Sequence, residues 1–237
     1  MINKMMSAHG PLSKNVIDAF GALLQGNRRF SSGLRSIETM LSALRMKDLA
    51  EKGQNPFAII VTCSDSRLPA EMVFDRGVGD LFVIRMAGNV VTPEVIASIE
   101  FAALQFKTPL CVVMGHSKCG AMSAAHEIVG KGGNSPTPFL GQLVEHVREP
   151  YQRTASFCEK LGNIETGSPQ FLSALTHHNI QHGVSEIVKR SEALSSLASA
   201  GNFVVVGAYY DLHEGRVDFD VDGNPSFVQD ALGQDSK

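Results

Sequence analysis

The sequence predicts an α/β fold: a mainly parallel central sheet flanked by helices, with an N-terminal helical arm and a C-terminal antiparallel return strand. Three observations predict it. Apolar, β-branched runs recur at Phe57-Ala58-Ile59-Ile60-Val61-Thr62, Leu81-Phe82-Val83-Ile84-Arg85, Leu110-Cys111-Val112-Val113-Met114 and Phe203-Val204-Val205-Val206-Gly207-Ala208. Their continuous rather than alternating hydrophobicity suits strands covered on both faces. Helix-like stretches separate the runs, and such alternation goes with right-handed crossovers between parallel strands. Beyond Tyr210, the turn His213-Glu214-Gly215-Arg216 is placed to return the chain as a hairpin strand.

Taken in order, Lys14 to Phe30 has helical spacing in Val16, Phe20, Leu23 and Leu24 and reads as ending near Gly26 and Asn27. It has no strand of its own to cover, so residues 1–35 read as an arm packing on a neighbouring subunit. The first two runs are strands. Thr92-Pro93-Glu94 then opens a helix to Phe106, with a capping hydroxyl, a first-turn proline and an acid at the positive end of the helix dipole. A helix over Ser117 to Val129 follows the third run, and the Gly/Pro-rich stretch from Gly130 to Pro138 is a loop. A long helix is expected from Gln170 to Ser199. With no internal repeat or linker, residues 1–237 read as a single domain.

Composition narrows the function. Hydrophobic residues make up 43% and charged residues 19% of the 237 residues, the ordinary balance of a globular protein. A formal net charge of −3 gives no footprint for nucleic acid or an anionic membrane. No run approaches the roughly 20 apolar residues of a membrane span. The opening residues lack the apolar core of a secretory signal, so a cytoplasmic protein is expected. Of the four cysteines, Cys111 lies inside an apolar run and reads as a small buried hydrophobe, and Cys158 as a bystander.

The other two cysteines belong to Cys63-Ser64-Asp65-Ser66-Arg67 and His116-Ser117-Lys118-Cys119. Each segment follows a strand run directly, and the carboxyl ends of neighbouring parallel strands converge on the crevice where α/β sheets hold ligands. Two thiolates and one imidazole select zinc over oxygen-seeking magnesium, calcium or manganese. Three protein ligands with an open fourth position describe a catalytic zinc, whereas a structural one closes all four. A structural site completed by Asp65 is the rival. A phosphatase loop of the Cys-x5-Arg kind would need arginine at position 69, which is Pro69. Arg67 can grip Asp65 bidentately and keep it ionised, so that the pair orients whatever fills the open position. His177, His178 and His182 share a helix; lacking a third ligand, they read as a solvated or interface face.

At these residues the chain resembles the β-class carbonic anhydrases. The two metal motifs, Cys63 to Arg67 and Gly115 to Gly120, carry the resemblance. Leu23 to Phe30, Pro69-Ala70-Glu71, Gly79 to Arg85, Ala87-Gly88-Asn89 and Ser98 to Phe101 follow in the family's order, over roughly residues 11 to 222. The resemblance implies one zinc per chain on Cys63, His116 and Cys119, Asp65 and Arg67 as the catalytic dyad, and Phe82, Ala87 and Gly120 lining the substrate pocket. It implies reversible hydration of CO2 to bicarbonate and a proton by a zinc-bound hydroxide, in a homodimer or homotetramer. A hydrolase of carbonyl sulfide or carbon disulfide, or a non-catalytic zinc module, would keep the same residues. Many members also carry an upstream glutamine that hydrogen-bonds substrate; the stretch Thr39 to Ala43, read as its counterpart, has none, and Gln25 and Gln54 fall outside it.

Overall fold

The computed structural model describes residues 2–34, 43–162 and 164–220. Among these, five strands form one sheet: β1 (Ala58–Thr62), β2 (Leu81–Arg85), β3 (Leu110–His116), β4 (Val204–Tyr210) and β5 (Val217–Asp220), in the order β2-β1-β3-β4-β5. The pairings β1·β2, β1·β3 and β3·β4 are parallel, and β5 returns antiparallel on β4. The expected architecture is therefore present, and β1 and β3 are buried along their full lengths because both faces are covered.

Alternate residues of the strands feed the two faces. On one, Ala58, Ile60, Val112, Met114 and Val206 meet helices α2 (Lys14–Ser31), α4 (Ala70–Val73) and α6 (Gly120–Ala125). On the other, Ile59, Val61, Val113 and Val205 meet α5 (Pro93–Gln105), α9 (Pro169–Arg190) and α10 (Glu192–Ser199). The remaining helices are α1 (Ile2–His9), α3 (Ala43–Lys52), α7 (Pro138–Glu145) and α8 (Arg148–Leu161).

Three elements depart from the sequence expectation. Helix α2 does have a strand to cover: Val16, Phe20 and Leu23 are fully buried, and Phe20 meets Phe219 of β5 edge-on at 4.9 Å. It belongs to its own subunit's core, and the return strand it packs on lies some two hundred residues away, beyond the reach of local pattern. The helix expected from Ser117 starts only at Gly120, because Lys118 adopts φ +56° and Cys119 is extended. It then widens into a π-turn over His126–Gly130. The long helix to Ser199 breaks at Ser191, whose hydroxyl caps α10 through Leu194 N–H at 3.1 Å and donates to Glu100 Oε1 at 2.6 Å. By contrast α5 opens as expected, with Thr92 Oγ1 accepting from Val95 N–H.

Candidate metal centre

The centre sits where β1 and β3 end side by side. Thr62 is in register with Met114, so Cys63 leaves the sheet next to the Gly115–His116 corner. The left-handed turn at Lys118 folds Cys119 back over the strand ends. The ligand atoms of Cys63, His116 and Cys119 consequently lie within 4.8 Å of one another, and all three residues are buried.

The imidazole is prepared for a metal. His116 Nδ1 faces the Ser117 carbonyl oxygen at 3.0 Å, so that nitrogen carries the proton and donates it. Nε2 is left as a buried lone pair with no hydrogen-bond partner among the described residues. A ring nitrogen fixed in this way by a carbonyl on the far side is the usual arrangement of a metal-ligating histidine. An orphaned buried acceptor between two thiols costs free energy unless a cation takes it. The donor set fits zinc. Cys63 Sγ accepts the Gly88 N–H at 3.3 Å. The hydrogen bond from Cys119, helped by the backbone of Asp65 and Gly88, pulls the Cys63 thiol down, whereas sharing that proton, together with burial, pushes Cys119 up. A metal bound there would release the thiol protons.

Asp65 and Arg67 stand over the centre. Arg67 Nε and Nη2 donate to Asp65 Oδ1 and Oδ2 at 2.9 and 2.6 Å, and the Arg67 backbone N–H adds a third bond at 3.0 Å. The guanidinium contacts hold the Asp65 carboxyl well below the usual carboxylate range. Arg67 also donates to the Lys118 carbonyl at 3.3 Å, tying the first motif to the second. Asp65 Oδ2 lies 3.9 Å from His116 Nε2. All five residues singled out from the two motifs are brought together.

The residues expected to line the pocket divide. Ala87 opens the 3₁₀ turn Ala87–Asn89 whose Gly88 touches Cys63, and Gly120 follows Cys119 with open space where a side chain would project. Phe82 is not brought to the centre of its own chain. It pairs with Ile59, at the amino half of the sheet, and packs on Phe101 and Phe106 with ring centroids 6.2 Å away. The stretch read as lacking the glutamine lies outside the described residues except for Ala43. Gln54 is exposed in the segment entering β1, at the opposite end of that strand from Cys63. Sequence reasoning missed Arg85, whose Nε and Nη2 donate to the carbonyls of Cys63 and Asp65 at 3.3 and 2.5 Å and brace the loop between them. The histidines read as a solvated or interface face are corrected for two of the three: His177 and His178 are 2% and 3% exposed, buried within their own chain. His177 stacks on Tyr209 at 4.2 Å, and His178 Nδ1 meets Thr154 Oγ1 at 2.8 Å. His182 is partly exposed and lies 3.6 Å from Glu149.

Known proteins resemble this chain in sequence and in fold. The family model described as carbonic anhydrase matches residues 58–217. The chain belongs to the β-class carbonic anhydrase family. It is similar to a carbonic anhydrase of Mycolicibacterium smegmatis, 34% identical over 87% of this chain and 94% of that one. Carbonic anhydrase 2 of Mycobacterium tuberculosis is 35% identical over 85% and 91%. Among solved structures, a tetrameric β-carbonic anhydrase of Sordaria macrospora superposes with a TM-score of 0.64 at 25% identity, over 73% of this chain and 84% of that one. The β-carbonic anhydrase CafA of Aspergillus fumigatus shares the fold at a TM-score of 0.63 and 24% identity, over 92% and 98%. As a carbonic anhydrase the chain hydrates CO2 reversibly to bicarbonate and a proton, with zinc as the cofactor that the Cys63-His116-Cys119 cluster suits.

Proposed function

We propose that Cys63, His116 and Cys119 hold one zinc per chain, that Asp65 and Arg67 form the catalytic dyad beside it, and that Ala87 and Gly120 border the substrate space. The single observation that carries this reading is the buried, partnerless Nε2 of His116 facing two thiols under an Asp–Arg pair. Zinc bound there supplies the Lewis acidity that makes a water nucleophilic near neutral pH. Asp65 accepts a hydrogen bond from the attacking water and so orients its lone pair toward the carbon of CO2. Arg67 keeps that carboxylate ionised and stationary, because three of its donors converge on Asp65. Arg85 fixes the backbone carrying both Cys63 and Asp65. Stopped-flow CO2 hydration with and without a chelator tests the activity, and metal analysis of Cys119→Ser tests the ligand set. Full activity after exhaustive chelation, or undiminished zinc in that variant, would overturn the reading.

The working unit is a homodimer or homotetramer. Strand β2 is an edge of the sheet, and beside it Phe101 and Leu104 of α5 are 53% and 55% exposed. Apolar surface next to an unpaired edge is where a second copy packs. Phe82 would reach a substrate pocket from there, across the interface, rather than within its own subunit. Among the described residues no helix is long and apolar enough to cross a membrane. Two metal-binding thiols and two buried free cysteines favour a reducing compartment, hence the cytoplasm.

A further inference from the structure

We propose that Asn179, midway along α9, is a positioning residue for the metal centre: it holds Gly88 so that the Gly88 N–H stays aimed at the sulfur of Cys63. The inference rests on the reading of Cys63 as a zinc ligand. Asn179 is 2% exposed, and its Nδ2 donates to the Gly88 carbonyl at 2.8 Å. The N–H of the same glycine donates to Cys63 Sγ at 3.3 Å. One buried residue is thus gripped on its carbonyl by α9 and presents its amide to the ligand.

Both ends of this relay are held rigidly. Gly88 adopts φ +67° and ψ 16°, in the left-handed region, and a Cβ there would stand 2.9 Å from Ala121 Cβ. The turn is therefore pressed against α6, the helix that begins after Cys119. On the other side, α9 approaches β3 so closely that a Cβ at Gly115 would meet Ile180 and Thr176 at 2.8–2.9 Å. One turn past Asn179, a Cβ on Gly183 would meet Val91 and Val113 at 3.1 and 3.2 Å. Small residues let α9 sit directly on the strand that ends in His116 and on the segment following Gly88, so Asn179 has little freedom to move. An N–H aimed at a ligating sulfur stabilises its anionic form and orients it toward the metal, and groups in this role tune affinity nearly as strongly as the ligands' own geometry. Without the amide of Asn179, the Gly88 carbonyl loses its buried donor and the turn can rotate its N–H away from Cys63.

Asn179→Asp keeps the shape and replaces the donor by an acceptor, and Asn179→Leu removes the polar group at similar volume. Zinc affinity of the full-length protein is measured by competition with a chromophoric chelator, and the thiolate-to-metal absorption band is recorded after cobalt(II) substitution. Thr154→Val, which breaks a buried hydrogen bond between α8 and α9, controls for general destabilisation. Cys63→Ser controls for the ligand assignment. Zinc affinity is expected to fall roughly 10- to 100-fold in both Asn179 variants, as for other groups that orient metal ligands, with a displaced cobalt band. Thr154→Val should leave both readouts at parental values. If one Asn179 variant fails to fold, the other decides. Affinity within about twofold of the parent with an unmoved band, or an equal loss in Thr154→Val, would overturn the proposal. Unchanged zinc binding in Cys63→Ser would instead overturn the ligand assignment on which it rests.

Discussion

Replacing His178 by glutamine should flatten the acid limb of the protein's stability curve. His178 is buried between α8 and α9 with Phe157 edge-on to its ring at 5.6 Å. The Thr154 hydroxyl donates to the Pro150 carbonyl at 2.7 Å, so its oxygen accepts from His178 Nδ1–H. Burial, and after it the charge of Arg153, lower the pKa of His178 from 6.5 to about 4. The unfolded chain therefore binds one more proton than the folded one between those two values. Stability from this group is complete above pH 6.5 and is lost as the pH falls toward 4. At 1.36 kcal/mol per unit, the full swing is about 3 kcal/mol. By linkage, about 2 kcal/mol of it is already gone at pH 5. Against a typical total of 5–15 kcal/mol this is a large fraction. Urea unfolding of parent and His178→Gln is compared at pH 7.5 and pH 5, in excess chelator so that the metal thiolates do not contribute. The variant should start about 1 kcal/mol lower at pH 7.5, from the lost bond to Thr154. It should then lose about 2 kcal/mol less than the parent on acidification. His177 is present in both proteins with its pKa lowered first by burial, which cancels, and second by the charge of His178, which does not. Parallel losses in the two proteins would refute the argument.

Asp65→Asn should retain zinc, since its amide oxygen can still accept from Arg67, while CO2 hydration falls by at least about tenfold, in the range for loss of a positioned charged partner; parental turnover would mean the pair only shapes the loop. Cys119→Ser should lose zinc and activity together, because a hydroxyl is a far poorer zinc ligand than a thiolate; metal analysis of protein kept reduced throughout checks this. Gly115→Ala forces its new methyl against Ile180 and Thr176, so it should cost about 1–3 kcal/mol in denaturant unfolding, as overpacking does. An unchanged midpoint would show that α9 yields freely there.

What could be read in advance had local causes. The strands were legible because burial on both faces demands unbroken apolar runs, and α5 because Thr92-Pro93-Glu94 carries its own start signal. The five residues of the proposed centre stood out because zinc needs particular ligand types, and the fold brings them together at strand ends. What escaped was held by distant partners. The break at Ser191 depends on Glu100, and the burial of α2 depends on β5. The burial of His178 depends on Thr154, and the carbonyl grip of Arg85 reaches back across a strand pairing. None of these contacts leaves a periodicity or a motif. The delayed start of α6 was masked too, since Ser117 to Cys119 look helical until the left-handed turn at Lys118 is seen.

On the proposed ligand set, a bound metal would also be a staple. Cys63 lies on one side of the chain segment that forms β2, the Gly88 turn and α5, and His116 and Cys119 lie on the other. An ion bound across those ends closes that segment into a ring, as a disulfide would, but reversibly and at the concentration of free zinc. Each ring closed in this way removes freedom from the unfolded chain, and ligand that binds only the folded form adds stability by mass action. Metal supply would then bear on the stability of the folded chain as well as on its turnover. In zinc-poor conditions the loss of function and the loss of protein would proceed together.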